Sequence, residues 1–219
     1  MDSRNHSHSI KLIAGLLIVL AVVLFGFTSS ERERELLVNT LYLVGWTCAL
    51  AIPVGTYLAV LLARTDLPCR TLFGVIVAIA LFLPLYTQTA AWQAGFGQQG
   101  WAMHWLNGWR GAIWIHAVAA VPWVVMIVAV GLRHIEPQLE DAALLDGTQT
   151  QVLFRVTLRR CWFAMGAAAI WIGVVTAGEF TVTDMWPGLR TYAEDIFRGF
   201  AVGETPEIVS NRVVLPAPF

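Results

Sequence analysis

The chain has 219 residues, of which 57% are hydrophobic and only 13% are Asp, Glu, Lys or Arg. This charged share is about half that of an ordinary soluble domain, so the composition excludes a soluble fold that covers its surface with charge. The 14 basic and 15 acidic residues nearly cancel, which excludes the strong positive field of a nucleic-acid-binding protein. We therefore expect a membrane protein that contacts lipid and has no nucleic-acid partner.

Uncharged stretches recur along the chain and predict its helices in order. Each is long enough to cross a hydrocarbon core of about 30 Å as a helix of about 20 residues. Helices are expected because the backbone groups of an open sheet edge find no partners in lipid. The predicted fold class is all-α, a polytopic transmembrane helical bundle of about five spans, at about 10–28, 36–63, 71–92, 111–132 and 162–182.

The first span has a basic flank, as a signal peptide does. Its apolar run is long for a signal peptide, however, and no small-residue cleavage site follows it. We expect this helix to be retained as a membrane anchor.

The basic residues favour one orientation. With the N-terminus in the cytoplasm, the cytoplasmic segments hold most of the arginines, in agreement with the positive-inside rule. The predicted location is the cell (inner) membrane, as a multi-pass protein with a cytoplasmic N-terminus. The cytoplasmic set is Arg4, Lys11, Arg64, Arg70, Arg133, Arg155, Arg159 and Arg160.

Prolines and a few ionisable residues lie inside the predicted spans. Pro53, Pro84 and Pro122 each remove a backbone hydrogen bond, so we expect kinked helices around an internal path. His116 lies in the fourth span and Glu179 near the outer end of the fifth. Intramembrane ionisable residues often mark pathways. Glu179, Pro84 and Pro122 are the candidate pathway residues, with a purely structural role as the alternative for each.

Several chemistries are missing from the sequence. The single lysine, Lys11, precedes the first span, so there is no Gly-Lys-Ser/Thr loop to hold nucleotide phosphates. The three cysteines are scattered without metal-type spacing. We expect no catalytic residues, no metal site and no cofactor, and therefore no enzyme.

The segment 136–159 separates the fourth and fifth spans and predicts a short helix, a turn and a second short helix. Pro137 suits a first helical position, and Glu136, Glu140 and Asp141 place negative charge near the helix start. Gly147 is expected to end this helix in a left-handed conformation, and Thr148 to cap the next one.

The same segment carries a family resemblance. Its run Asp141-Ala142-Ala143, then Gly147, then Val156 and Leu158, resembles the EAA loop of ABC importer permeases. In that family the loop forms a coupling helix that docks on a cytoplasmic ATPase. The resemblance implies a coupling role for Asp141, Ala142, Ala143, Gly147, Val156 and Leu158. Asp141 stands where Glu is usual and Arg159 where Pro is usual.

Flanking stretches extend the resemblance over about 36–203, which would be a MetI-like permease core. Before it, residues 1–35 are expected to form a cytoplasmic tail, the first span and a short outer loop, and after it residues 204–219 an irregular tail. Leu83-Pro84-Leu85-Tyr86 and Gly178-Glu179-Phe180 look like the iron(III)/thiamine branch. The resemblance implies three protein partners: cytoplasmic ABC ATPase subunits, an outer substrate-binding protein, and a second permease copy or half.

Residues 204–219 contain no run long enough to cross a membrane, so we expect a core that is truncated before its last span. The leading hypothesis is an importer permease with ferric iron as the suggested substrate, while thiamine, phosphonate or another small anion stays open. Two alternatives remain: a secondary ion-coupled carrier that uses Glu179, and a truncated, non-transporting membrane protein.

Overall fold

The computed structural model describes residues 30–97, 100, 106–145, 147–186 and 188–205. Every regular element within those ranges is a helix, as the composition predicts. The predicted first span at 10–28 and most of the tail at 204–219 lie outside the described residues.

The first described helix, α1, is Glu31–Arg64 and contains 34 residues. It begins earlier than the predicted position 36 because Ser30 and Glu33 form a capping box. The backbone N–H of Ser30 donates to Glu33 Oε2 at 2.8 Å, and the N–H of Glu33 donates to Ser30 Oγ at 3.4 Å. The charged run before residue 36 is therefore the first turn of the helix and not an outer loop.

The third predicted span is two helices, α2 at Arg70–Phe82 and α3 at Leu85–Phe96, that meet at 99°. The span predicted at 71–92 therefore falls on a bent helix pair and not on one continuous helix. Leu83 is extended, with ψ of 117°, because a residue before proline is disfavoured in the helical conformation. The Gln88 side chain covers the break by donating from Nε2 to the Leu83 carbonyl at 3.1 Å.

The fourth predicted span is α4, Trp109–Arg133. The loop 134–136 leads to α5 at Pro137–Leu144, and then α6 runs through Gln149–Gly178 with a π-helical turn at Leu153–Thr157. The predicted fifth span at 162–182 is thus the later part of a longer helix that ends at Gly178. Pro53 and Pro122 lie within uninterrupted helices. Of the three predicted proline kinks, the one at Pro84 is a break between helices.

Helices α1, α4 and α6 pack together as the centre of the bundle. Small residues allow close approach at two crossings. A Cβ on Gly55 would lie 2.4 Å from Val124 Cβ, and a Cβ on Gly131 would lie 2.4 Å from Ala164 Cβ. Both separations are too short for side-chain carbons, so glycine is required there for the helices to pack this closely.

The bent pair passes through the bundle from end to end. Arg64 Nη2 donates to the Leu132 carbonyl at 2.8 Å, which places the last turns of α1 and α4 together at what we call the loop end. Helix α2 starts there, since it follows α1 directly. At the opposite, far end, Gln93 Nε2 of α3 donates to the carbonyl of Met185 at 2.9 Å. Counted as one broken span with α1, α4 and α6, the bent pair brings the described residues to four candidate membrane spans.

Two short helices close the far end: α7 at Thr181–Met185 and α8 at Tyr192–Ala201. Helix α8 is fastened to the start of α1. Arg32 pairs with Asp195 at 2.6 Å, and Tyr192 Oη donates to the Glu33 carbonyl at 3.1 Å. The region after Asp184 is thus partly helical and packed on the bundle.

Candidate functional site

The segment between α4 and α6 has the predicted helix-turn-helix form. Pro137 lies in the first turn of α5, and Thr148 caps α6 with its N–H donating to Gln151 Oε1 at 3.3 Å. The expectation for Gly147 was wrong. Leu145 follows α5 in a right-handed conformation, and the glycines with positive φ among the described residues are Gly108, Gly188 and Gly203.

Glu140 fixes the inner face of α5 to the bundle. Its Oε2 lies 3.5 Å from Arg64 Nε, and its Oε1 accepts a hydrogen bond of 2.7 Å from Thr157 Oγ1. Arg64 in turn donates from Nη2 to the carbonyls of Leu132 at 2.8 Å and Ile135 at 3.2 Å. One carboxylate and one guanidinium thus connect α1, α4, α5 and α6 at the loop end.

The Glu140–Arg64 pair is largely shielded, with side-chain exposures of 16% for Glu140 and 23% for Arg64. Charge pairs in such surroundings are screened less than surface pairs. Sequence reasoning assigned Glu140 a role in the helix dipole and missed this link. Its partners come from distant parts of the chain, so no local pattern indicates it.

The outer face of α5 points away from the bundle. Asp141 and Ala142 are exposed, and Ala143 is half-buried. Leu145, just beyond the helix, is 87% exposed. Successive helical residues are about 100° apart, so Glu140 can face inward while its two successors face outward. The outer face of α5 is therefore a surface of small and apolar residues with one acidic side chain. The opposite face of the helix is bonded to the bundle through Glu140.

The remaining predicted coupling residues lie elsewhere. Val156 is half-buried in the π-helical turn, and Leu158 packs against the hydrophobic core of α1, α4 and α6. Gly147 lies beside Gln151, whose Oε1 would be 3.1 Å from an added Cβ. The structure therefore groups Asp141 and Ala142 on one exposed face and places Leu158 against the interior.

A second candidate site is a cavity of about 180 Å³ between the α2–α3 break, α4 and α6. Four polar side chains line it: Gln88, His116, Thr176 and Glu179. His116 is 4% exposed, and its Nε2 has no hydrogen-bond partner among the residues that the structure describes. It was noted in the sequence as an intramembrane ionisable residue but was not placed among the pathway candidates.

The three predicted pathway residues do not all meet. Glu179 lines the cavity, and its Oε1 accepts a hydrogen bond of 2.7 Å from the N–H of Thr181. Pro84 sits at the break, and its neighbours Leu83 and Leu85 line the cavity. Pro122 is buried in α4 and is absent from the described lining. Across the described part of the chain, no three His, Cys, Asp or Glu side chains come together as a metal site.

No protein-family model matches the chain. Its curated relatives include the following three proteins. Molybdenum transport system permease protein ModB of Escherichia coli (strain K12) is 25% identical over 169 residues, covering 70% of this chain and 72% of that protein. ModB of Haemophilus influenzae is 28% identical over 118 residues, covering 49% and 52%. Sulfoquinovosyl glycerol transport system permease protein SmoH of Agrobacterium fabrum is 28% identical over 160 residues, covering 72% and 51%.

Proposed function

We propose that this chain, whose curated relatives are permease subunits of ABC transporters, forms the membrane pathway of an ABC importer and couples it to a separate cytoplasmic ATPase. The observation that carries the proposal is the form of α5. Its inner face is tied to the bundle through Glu140, and its outer face exposes Asp141 and Ala142.

An anchored helix of this kind suits force transmission. A partner that moves α5 would move Arg64 and the ends of α1 and α4 with it, because the same two side chains bond all of these elements. Coupling between ATP hydrolysis and transport requires contacts that differ between two states. We propose that the largely shielded ion pair is such a contact, at the point where the helices end.

The orientation follows from this role. The loop end faces the cytoplasm and its ATPase, and the far end faces an outer substrate-binding protein. This is the side expected from the arginine distribution. A second permease copy or half is proposed to complete the pathway. The chain would act as a transport subunit without nucleotide hydrolysis of its own.

Ferric iron, suggested by the branch resemblance, finds no support in the names of the relatives. Those names give molybdenum for ModB and sulfoquinovosyl glycerol for SmoH. The cavity lining of this chain is therefore the better guide to the substrate class.

The coupling proposal is tested by charge placed on the outer face of α5. Ala142→Asp adds an acidic group at an exposed position of α5, and Arg70→Asp places one at an exposed position of α2, at the same end of the bundle but off that helix. The chain is produced together with its ATPase and binding protein and purified from the membrane. We expect Ala142→Asp to lose the ATPase on purification while the Arg70→Asp control keeps it. Ala143→Asp and Gly147→Val should likewise uncouple transport while leaving membrane insertion intact.

Two outcomes would contradict the proposal. One is full ATPase association and uptake in the Ala142→Asp variant. The other is uptake that stops when the ion gradient is collapsed at constant ATP, which would favour the secondary carrier with Glu179 as the ion-linked group.

A further inference from the structure

Two polar side chains that line the cavity at the α2–α3 break each use one atom in a hydrogen bond within the protein and keep the other atom available for a ligand. Gln88 uses Nε2 on the Leu83 carbonyl, which leaves its Oε1 available. Glu179 uses Oε1 on the N–H of Thr181, which leaves its Oε2 available. Thr176 contributes a hydroxyl group and His116 a buried imidazole. The available set is rich in acceptors and contains groups that both donate and accept.

His116 is the strongest sign that a ligand belongs here. A buried polar atom without a partner destabilises the folded protein. Nε2 of His116 is such an atom among the described residues, and the side chain lines the cavity. A bound solute that bonds this nitrogen would remove the penalty, so the site favours occupancy by a hydrogen-bonding molecule.

The charge of the lining restricts the class of ligand. Glu179 is its acidic residue, and no Lys or Arg occurs among the described residues that form the wall. A multiply charged oxyanion would lose its hydration beside a carboxylate with no cation to compensate. An uncharged solute with several hydroxyl groups meets no such cost and can bond all four polar side chains.

Size and the apolar walls agree with such a solute. The volume of about 180 Å³ corresponds to about six water molecules at roughly 30 Å³ each. This space suits a small polyol better than a bare ion. Trp123 and Trp171, whose ring centroids are 5.3 Å apart, also line it. Indole rings provide apolar surface for the C–H groups of such a molecule while the polar side chains take its hydroxyls.

We propose that this cavity binds a small, uncharged, polyhydroxylated solute through His116, Gln88, Thr176 and Glu179. As the substrate of transport, this solute rests on the permease role proposed above. The binding itself is a property of this chain alone.

Isothermal titration calorimetry on the full chain in detergent tests the proposal, with mannitol, molybdate and choline as probes. We expect saturable binding of mannitol and none of molybdate. His116→Phe should weaken mannitol binding about tenfold or more, since a lost hydrogen bond leaves polar groups unpaired. The matched control is His134→Phe, because His134 is exposed at the loop end and should leave binding unchanged.

A neutral isostere separates the ligand classes. Glu179→Gln keeps the hydrogen-bonding shape, so polyol affinity should change by less than about threefold. Choline binding that falls tenfold in this variant would replace the proposal with an organic-cation site. Molybdate binding to the unaltered chain, or no mannitol binding, would overturn it. If His116→Phe does not fold, Gln88→Leu serves as the second variant.

The two proposals fail separately. Loss of mannitol binding with intact ATPase association removes the cavity assignment and leaves the permease. Mannitol binding by a chain that associates with no ATPase leaves the cavity site and removes the permease.

Discussion

Glu140 and Arg64 form an ion pair, with 3.5 Å between Oε2 and Nε, that joins α5 to the last turn of α1. The pair does not stand alone, because Glu140 also accepts from Thr157 and Arg64 also donates to Leu132 and Ile135. One charge pair therefore links four chain segments. A change to either partner should lower stability and, on the proposed function, weaken coupling.

If the chain acts as the importer subunit proposed above, Glu140→Gln should uncouple ATP hydrolysis from transport. The amide oxygen can still accept from Thr157, but the charge that holds Arg64 is gone. We expect uptake per ATP hydrolysed to fall by about fivefold or more, the lower end of typical coupling energies. The measurement is the ratio of substrate uptake to phosphate release in proteoliposomes. Glu136→Gln is the control, because Glu136 lies in the same loop and is exposed. An unchanged ratio in Glu140→Gln would show that the pair transmits nothing.

Arg64→Ala should destabilise the bundle by about 1.5–3 kcal/mol, because it removes charged hydrogen bonds and leaves Glu140 partly buried without its cation. Arg64→Lys should recover part of this loss, since an ammonium group keeps the charge but cannot reach all the partners of a guanidinium. Unfolding in detergent by SDS titration measures both. Arg70→Ala, at an exposed site beside the same end, should change little. A similar loss of stability in Arg70→Ala would show that the effect of Arg64→Ala comes from general surface charge and not from the ion pair with Glu140.

Gly131→Ala should loosen the crossing of α4 and α6. The added Cβ would meet Ala164 Cβ at 2.4 Å and Cys161 Sγ at 3.3 Å, so the helices must separate. Overpacking of this kind costs about 1–3 kcal/mol. Gly166→Ala is the matched control, since a Cβ there meets nothing within 4 Å. SDS unfolding compares the two, and equal midpoints would mean that the crossing adjusts without cost.

Stability should fall as pH rises through the titration of Glu194. Burial raises the pKa of this carboxyl above its ordinary value, and Asp195 and Asp184 add to the shift while Arg198 and Arg190 oppose it. Between the ordinary and the raised pKa the folded state holds more protons than the unfolded state. Folding is therefore favoured at the acidic side of this window and weakened toward its alkaline side.

The test compares the melting temperature of the unaltered chain with that of Glu194→Gln at a series of pH values. The glutamine variant carries no titrating group at this position, so its decline with pH should be shallower. Parallel curves for the two proteins would assign the pH dependence to other groups.

Much of the bundle could be predicted because lipid imposes long uncharged helices. The predicted spans at 36–63 and 111–132 fall within α1 and α4. The start of α1 was missed because alternating Glu and Arg look like a solvated loop. The capping signal was nevertheless present, as Ser30 followed three residues later by Glu33.

The break at Pro84 could not be separated from the other prolines by sequence alone. Pro53 and Pro122 satisfy the same local rule, yet they lie in continuous helices that pack along their length against neighbours. Tertiary packing decides which proline interrupts a helix. The same holds for Glu140, whose partners Arg64 and Thr157 are brought to it by the folding of the whole bundle.

Helix α2 has 13 residues, about 20 Å at 1.5 Å per residue, which is too short to cross a bilayer alone. Counted with α3 as one broken span, it brings the candidate spans of the described residues to four, an even number. On that count, Ser30 and Thr205 would lie on the same side of the membrane. Removing the two short helices would leave an odd number of passes and place α5 on the opposite side of the bilayer from the end of α1. The bent helix pair thus determines on which side of the membrane the segments after it lie.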